Sequence, residues 1–155
     1  MRISQYVYFA LRSERTAAHH ITGRLGIEPD EIQVRGSRSV VPVRPRYHAW
    51  EIVCRDRGLR IDEQIDRIVA RLAPHADQIA ALVAEIDGPG DRSTASLQLV
   101  RYLDDDGGEE EDLGPQDGEL VKIPGQHQLL GWHLDRRTLE FLCHIGAELD
   151  ADEYG

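Results

Sequence analysis

The chain has 155 residues, 41% of them hydrophobic, with 18 basic and 28 acidic side chains and a net charge of −10 at pH 7. That length is enough for one domain with a real core, and the hydrophobic share is that of a globular chain. The charge excludes general binding to a phosphate backbone, which needs a basic face, and no stretch approaches the ~20 apolar residues of a membrane span.

The opening segment MRISQYVYFALRSERT has an apolar run too short and interrupted for a secretory signal, so a cytoplasmic protein is expected. Cys54 and Cys143 lie far apart, without CxxC or Cys/His ligand spacing. Two buried, reduced thiols are expected.

Ile3, Gln5, Val7, Phe9 and Leu11 alternate with Tyr6, Tyr8, Ala10 and Arg12, a first strand. Ser13 or Thr16 can cap a helix whose buried stripe is Ala18, Ile21 and Leu25. Gly26 supplies a left-handed stop and Pro29 prevents continuation. Residues 31–46 show no clear period, and Gly36, Pro42 and Pro45 make them a long loop or a pair of irregular edge strands. Tyr47 to Arg55 is the second strand, with Trp50, Ile52 and Cys54 on one face and Ala49, Glu51 and Val53 on the other.

Ile61, Ile65, Ile68, Val69 and Leu72 then recur at the spacing of one helix face, with Asp62, Glu63, Asp66, Arg67 and Arg71 on the other side. Pro74 stops or bends this helix, and Ala76, Ile79, Leu82, Val83 and Ile86 renew the stripe. Two helical segments are expected, 61–73 and 75–86. After Gly88-Pro89-Gly90 comes a third strand, Ala95 to Leu103. The run DDDGGEEEDLGPQDGE over 104–119 reads as a mobile acidic loop, extending to about residue 127. Leu129 to Leu134 is expected as a fourth strand, with Leu130, Trp132 and Leu134 on one side. Asp135 is a good N-cap for a helix carrying Leu139, Leu142 and Ile145. Gly146 stops that helix, and Ala147, Leu149 and Ala151 alternate through a last strand.

LGIEPD at 25–30 and IGAELD at 145–150 each place apolar-Gly-apolar-Glu-x-Asp after a helix, a hint of internal repetition. One arrangement satisfies these elements: a single α+β domain over 1–155. It is a ferredoxin-like sandwich variant, with one mainly antiparallel sheet and the helices packed on one face.

The run YVYFAL at 6–11, ITGRLGIEPDE at 21–31, Arg35-Gly36, Trp50 and GAELDADEY at 146–154 resemble the bacterial domain-of-unknown-function 4279 family, in order and over nearly the whole chain. The family's usual ending resembles D-I-D-x-Y, where this chain has Asp150-Ala151-Asp152-Glu153-Tyr154. The acidic segment 104–119 looks like an insertion relative to shorter members. The resemblance implies a compact α/β-type bacterial domain and carries over no activity.

Several residue groups can bear function. Arg35, Arg38, Arg44 and Arg46 crowd positive charge into an acidic protein and can grip a phosphate or carboxylate, or meet the acidic loop within one chain or across a homodimer. His48 and Trp50 flank that loop, so Arg35, Arg38, His48 and Trp50 are the candidate ligand-binding set. Asp104, Asp105, Asp106, Glu109, Glu110 and Glu111 are the candidate partner-binding set. That block lacks the spacing of a helix–loop–helix calcium site. Glu148, Asp150 and Asp152 share one strand face, which suits an edge defended by charge. Tyr6, Tyr8, Gln98, Tyr102 and His133 can line the sheet face opposite the helices, where aromatics bind peptides. His19, His20, His133 and His144 read as structural or surface histidines, and no nucleophile elbow or HExxH occurs.

The reading that follows is a non-catalytic protein-binding module of immunity-type or regulatory kind, with a basic protein as partner and no nucleic acid, membrane, metal or cofactor. Two alternatives stand beside it: a small-molecule or anion sensor with a pocket near 35–46, and a metal-dependent hydrolase.

Overall fold

Twelve residues of alternating pattern form the central strand β1 (Arg2–Ser13), and the rest of the sheet is assembled on its two sides. The computed structural model describes residues 2–86, 94–110 and 131–155. Following β1 are α1 (Ala18–Leu25), β2 (Glu31–Gln33), the hairpin β3 (Ser39–Val40) and β4 (Val43–Arg44), and β5 (His48–Cys54). Next come α2 (Ile61–Leu72), α3 (Ala76–Ile86), β6 (Ala95–Leu103), β7 (Glu109–Glu110), α4 (Arg136–Ile145) and β8 (Glu148–Tyr154).

The sheet order is β2-β5-β1-β6-β8, with β7 on the start of β1. All pairings are antiparallel except β6 with β8. Side chains alternate across a strand, so the odd residues of β1 share a face with the even residues of β5 and the odd residues of β6. Val7, Phe9, Leu11, Trp50, Ile52, Leu97 and Leu99 form the apolar centre of that face, and the buried stripes of all the helices join it in one core. This is the α+β sandwich expected from the sequence, an open sheet with helices on one side.

The stripe of α2 is buried as its spacing requires: Ile61, Ile65, Ile68, Val69 and Leu72 are all inside. Pro74 sits in a 3-10 turn, Ala73–His75, that bends the chain into α3. Gly26 and Gly146 end α1 and α4 at φ of 67° and 69°, a left-handed conformation that glycine adopts without penalty. Asp135 caps α4 by accepting from the Thr138 N–H at 2.7 Å.

Several expectations need correction. Ser13 does not cap α1. Its hydroxyl accepts from the Arg15 and Thr16 N–H groups and holds the turn before the helix, whose N-cap is Ala17. Asp62 is buried rather than on the solvent side of α2, because His133 (3.1 Å) and Arg60 (3.4 Å) close over it. Cys143 is exposed, while Cys54 is buried. Residues 131–135 form no strand. The free side of β6 is taken by β8, so Trp132 and Leu134 instead pack against the core; residues 129 and 130 lie outside the described residues.

The acidic segment also starts with more order than a loop. Asp104 adopts φ 59°, a backbone state that aspartate tolerates better than most residues. Asp105 accepts from the N–H groups of Gly107 and Gly108, and Glu109–Glu110 then pair with Arg2–Ile3. A Cβ on Gly108 would lie 2.6 Å from the Ile3 carbonyl carbon, so only glycine lets the turn approach β1. Residues 111–127 of the expected mobile loop lie outside the described residues.

The one-sided core gives a direct test. Leu72→Ala, at a fully buried site, is expected to lower the unfolding free energy by about 2–5 kcal/mol. Leu139→Ala, on a side chain 47% exposed, should cost under about 0.5 kcal/mol. Urea unfolding measures both, and equal losses would place α2 off the sheet.

Candidate functional site

The other face of the sheet carries no helix among the described residues, and its composition is unlike a core. Alternation sends Ser4, Tyr6, Tyr8, Ala10 and Arg12 of β1 to it, beside Ala49, Glu51 and Val53 of β5. From the other side come Ser96, Gln98, Val100 and Tyr102 of β6, then Glu148, Asp150, Asp152 and Tyr154 of β8. The small residues form a floor: Ala10, Ala49 and Ser96 are buried although no helix covers them. Their cover is the layer of long side chains around them, apolar stems and rings below and polar tips above.

That layer is internally bonded on the β2-β5-β1 side. The Arg12 guanidinium donates to Ser96 Oγ and, at 3.4 Å, to the Tyr8 hydroxyl. Arg55 lies 3.9 Å from the centroid of the Tyr6 ring and pairs with Glu31 at 3.1 Å, an arrangement that adds cation–π attraction to an ion pair. Gln33 donates to Glu51 at 3.1 Å. Burial pushes the Glu51 carboxyl up from its ordinary range, against the opposing pull of Arg12. Burial likewise raises the Tyr8 phenol.

The β6-β8 side is different. Gln98 donates to Asp152 at 3.0 Å, but no cation among the described residues pairs with Glu148 or Asp150. Tyr102 and Tyr154 stack at 5.1 Å between centroids, planes 17° apart, and remain 40% and 49% exposed. The negative charge of Asp152 is the main cause of a raised Tyr154 phenol. The turn 104–110 leaves the same end of β6. Arg2 and Arg57 donate to its Asp106 and Gly107 carbonyls, which leaves the Asp104 and Asp106 carboxylates exposed. One half of the face is thus closed and charge-matched, and the other is acidic, aromatic and open.

The candidate ligand-binding set does not converge. Arg35 and His48 meet: the Arg35 backbone N–H donates to His48 Nδ1 at 3.2 Å. The Arg35 side chain is turned to the Arg46 carbonyl at 3.0 Å. Arg38 sits on the hairpin, its N–H on the Arg44 carbonyl. Trp50 is fully buried in the core, its indole N–H on Thr22 Oγ1 at 3.1 Å. In the partner-binding set, Asp104, Asp105, Asp106, Glu109 and Glu110 share one turn. Glu109 is committed, since it accepts from the Gly58 N–H at 2.6 Å, and Glu111 lies outside the described residues.

Of the five residues expected on the open face, Tyr6, Tyr8, Gln98 and Tyr102 are there. His133 is on the helix side with Asp62. Sequence reasoning missed Arg12, Glu51 and Arg55 as members of this layer. Arg12 was within reach, because it continues the period of Tyr6 and Tyr8 along β1. His19 and His20 line a separate open groove of about 510 Å³ between α1 and α3. Among the described residues no three His, Cys, Asp or Glu side chains are grouped to hold a metal ion, and no helix is long and apolar enough to cross a membrane.

Fold and site define an α+β domain with a single helical layer and a polar, aromatic open sheet face. The chain matches the model of the family described as a domain of unknown function (DUF4279) over residues 3–155, and it belongs to that family. No curated protein and no solved structure matches it.

The raised Glu51 carboxyl fixes a sign. Glu51 holds its proton more tightly folded than unfolded, so its contribution to stability is greatest on the acid side. That contribution falls as pH rises from the ordinary carboxylate range through the raised value. Glu51→Gln should therefore raise the urea midpoint at neutral pH, with the gain fading as the pH drops below the ordinary range. A gain that persists undiminished in acid would contradict the burial account.

Proposed function

We propose that this domain works by binding rather than by chemistry, and that its partner is a protein presenting a basic segment to the acidic, aromatic end of the open face. The observation that carries this reading is the exposed Tyr102–Tyr154 stack, with Asp150 and Asp152 beside it on β8 and Asp104 to Asp106 in the turn that follows β6. Aromatic faces attract guanidinium and ammonium groups, and carboxylates next to them complete the recognition with charge-assisted hydrogen bonds. The acidic net charge of the chain steers the same kind of partner in from a distance. An immunity-type or regulatory role in a bacterial host is the biological form of this reading, a small acidic domain that occupies the basic surface of another protein. The sensor alternative has less support, because the Arg35 guanidinium already serves the Arg46 carbonyl and Trp50 serves the core.

The test uses a labelled lysine- and arginine-rich peptide as a generic basic probe, titrated at low salt, with a polyglutamate peptide as control. Wild-type protein should bind only the basic peptide. Asp104→Asn, Asp105→Asn and Asp106→Asn combined with Tyr102→Ala should weaken that binding about tenfold or more, with each charge worth roughly 0.2–1 kcal/mol at an exposed site. The thermal unfolding temperature serves as the folding control. Equal affinity for the two peptides, or an affinity the variant does not change, would end this reading.

A further inference from the structure

The segment between Glu31 and Glu51 contains four arginines and no acid. It forms an arm off the β2-β5 edge, built on the β3–β4 hairpin. None of Arg35, Arg38, Arg44 and Arg46 pairs with a carboxylate among the described residues. By contrast Arg24, Arg55, Arg60, Arg67, Arg71 and Arg101 each do. The arm also exposes a group of apolar side chains: Val41 is 88% exposed and Val40 75%, with Ile32, Val34 and Val43 exposed beside them. Apolar surface of that extent, ringed by unmatched charge, marks a contact face rather than a solvated loop.

The complement lies on the same chain, at the opposite edge of the sheet. Among the described residues β8 is the outer strand, and it carries Glu148 and Asp150 on the open face, two acids without a described cation. Register places the two features at the same end of the strands. His48, where the arm rejoins the sheet, pairs with Ser13. Glu148 pairs with Ser96, which pairs with Ala10. They are separated across the sheet by four strand spacings, about 19 Å at ~4.8 Å each, too far for the arm to fold onto its own β8. A two-fold axis running parallel to the strands exchanges left and right but keeps the ends. It therefore brings the arm of each copy to the β8 acids of the other.

We infer that the occupant of the arm is a second copy of this chain, docked reciprocally with Arg38 and Arg44 on Glu148 and Asp150. The contact is isologous, the same pair of patches used twice, and so it closes as a dimer rather than propagating as a fibre. It shares only Asp150 with the basic-partner reading, whose test substitutes Tyr102 and the turn residues Asp104 to Asp106 instead. The two tests therefore fail separately.

Light scattering on a sizing column decides it. At low ionic strength the wild-type protein should elute at twice the chain mass of 17.5 kDa, and shift toward one chain at ~1 M salt, where the screening length falls to about 3 Å. Arg38→Glu with Arg44→Glu should weaken association at least about tenfold, and so should Glu148→Arg with Asp150→Arg. An equimolar mixture of the two variants should recover the dimer, because both contacts then again oppose unlike charges. That recovery also shows that both variants fold. A wild type that stays at one chain mass, a dimer indifferent to both reversals, or a mixture that does not re-associate would each overturn the proposal.

Discussion

Everything in this structure follows from the helices lying on a single side of the sheet. The α2 stripe of Ile61, Ile65, Ile68, Val69 and Leu72 is the centre of that layer, seated on Phe9, Trp50 and Ile52 with none of its five members more than 3% exposed. Burial of aliphatic surface is the dominant favourable term in folding, and here it is spent on one side. The consequence is a sheet whose reverse must satisfy water and its own buried backbone with no covering helix among the described residues.

The reverse face manages this by making its own cover. Ala10, Ala49 and Ser96 leave room in the floor, and long side chains lie around them, Arg12 on Ser96 and Tyr8 and Arg55 on the Tyr6 ring. Such side chains bury carbon while presenting nitrogen or hydroxyl to solvent. The layer has a cost, visible in Glu51: its carboxylate is drawn under the layer where ionisation is penalised, and Gln33 and Arg12 offset only part of that. On the β8 side no such cover forms among the described residues. There the strand has a neighbour on one flank only, and its acids face solvent, a common defence of sheet edges against unwanted pairing.

The parts of the fold legible in the sequence are those fixed by local rules. Period-two alternation in β1 and the i, i+4, i+7 stripe of α2 each imply one face and one partner layer. The left-handed glycines after α1 and α4, the Asp135 cap and the Pro74 bend are equally local. What was not legible depends on neighbours that only the assembled sheet supplies. Leu129 to Leu134 has a strand-like pattern, but β8 already holds the edge of β6, so Trp132 and Leu134 go to the core instead. Asp62 has the polarity of an outer helix position, and it is covered by Arg60 together with His133, which arrives from a distant part of the chain. Trp50 sits beside an arginine-rich loop in sequence, yet the strand's pleat turns it to the opposite environment. The open face was half visible, because aromatic alternation shows in β1 and β6 separately, while Glu51 and Arg55 join it through pairing registers no single stretch encodes.

The repeated motif, LGIEPD and IGAELD, shows how one local signal acquires two fates. In both copies a left-handed glycine ends a helix and the chain turns into an edge strand, β2 on one side of the sheet and β8 on the other. The aspartates that close the two motifs, Asp30 and Asp150, then meet different surroundings. Asp30 is claimed: Arg71 of α2 donates to both its oxygens, and the Val53 N–H donates to it at 2.8 Å. Because α2 crosses above β5, a cation reaches that corner, and the arginines that follow in sequence are left without acids of their own. Asp150 lies where none of the described helices brings a cation, and the neighbouring Glu153 takes Arg101 at 2.7 Å. The outcome is a sheet with spare positive charge at one edge and spare negative charge at the other. That polarity comes from where a single helix happens to pass, rather than from the motif.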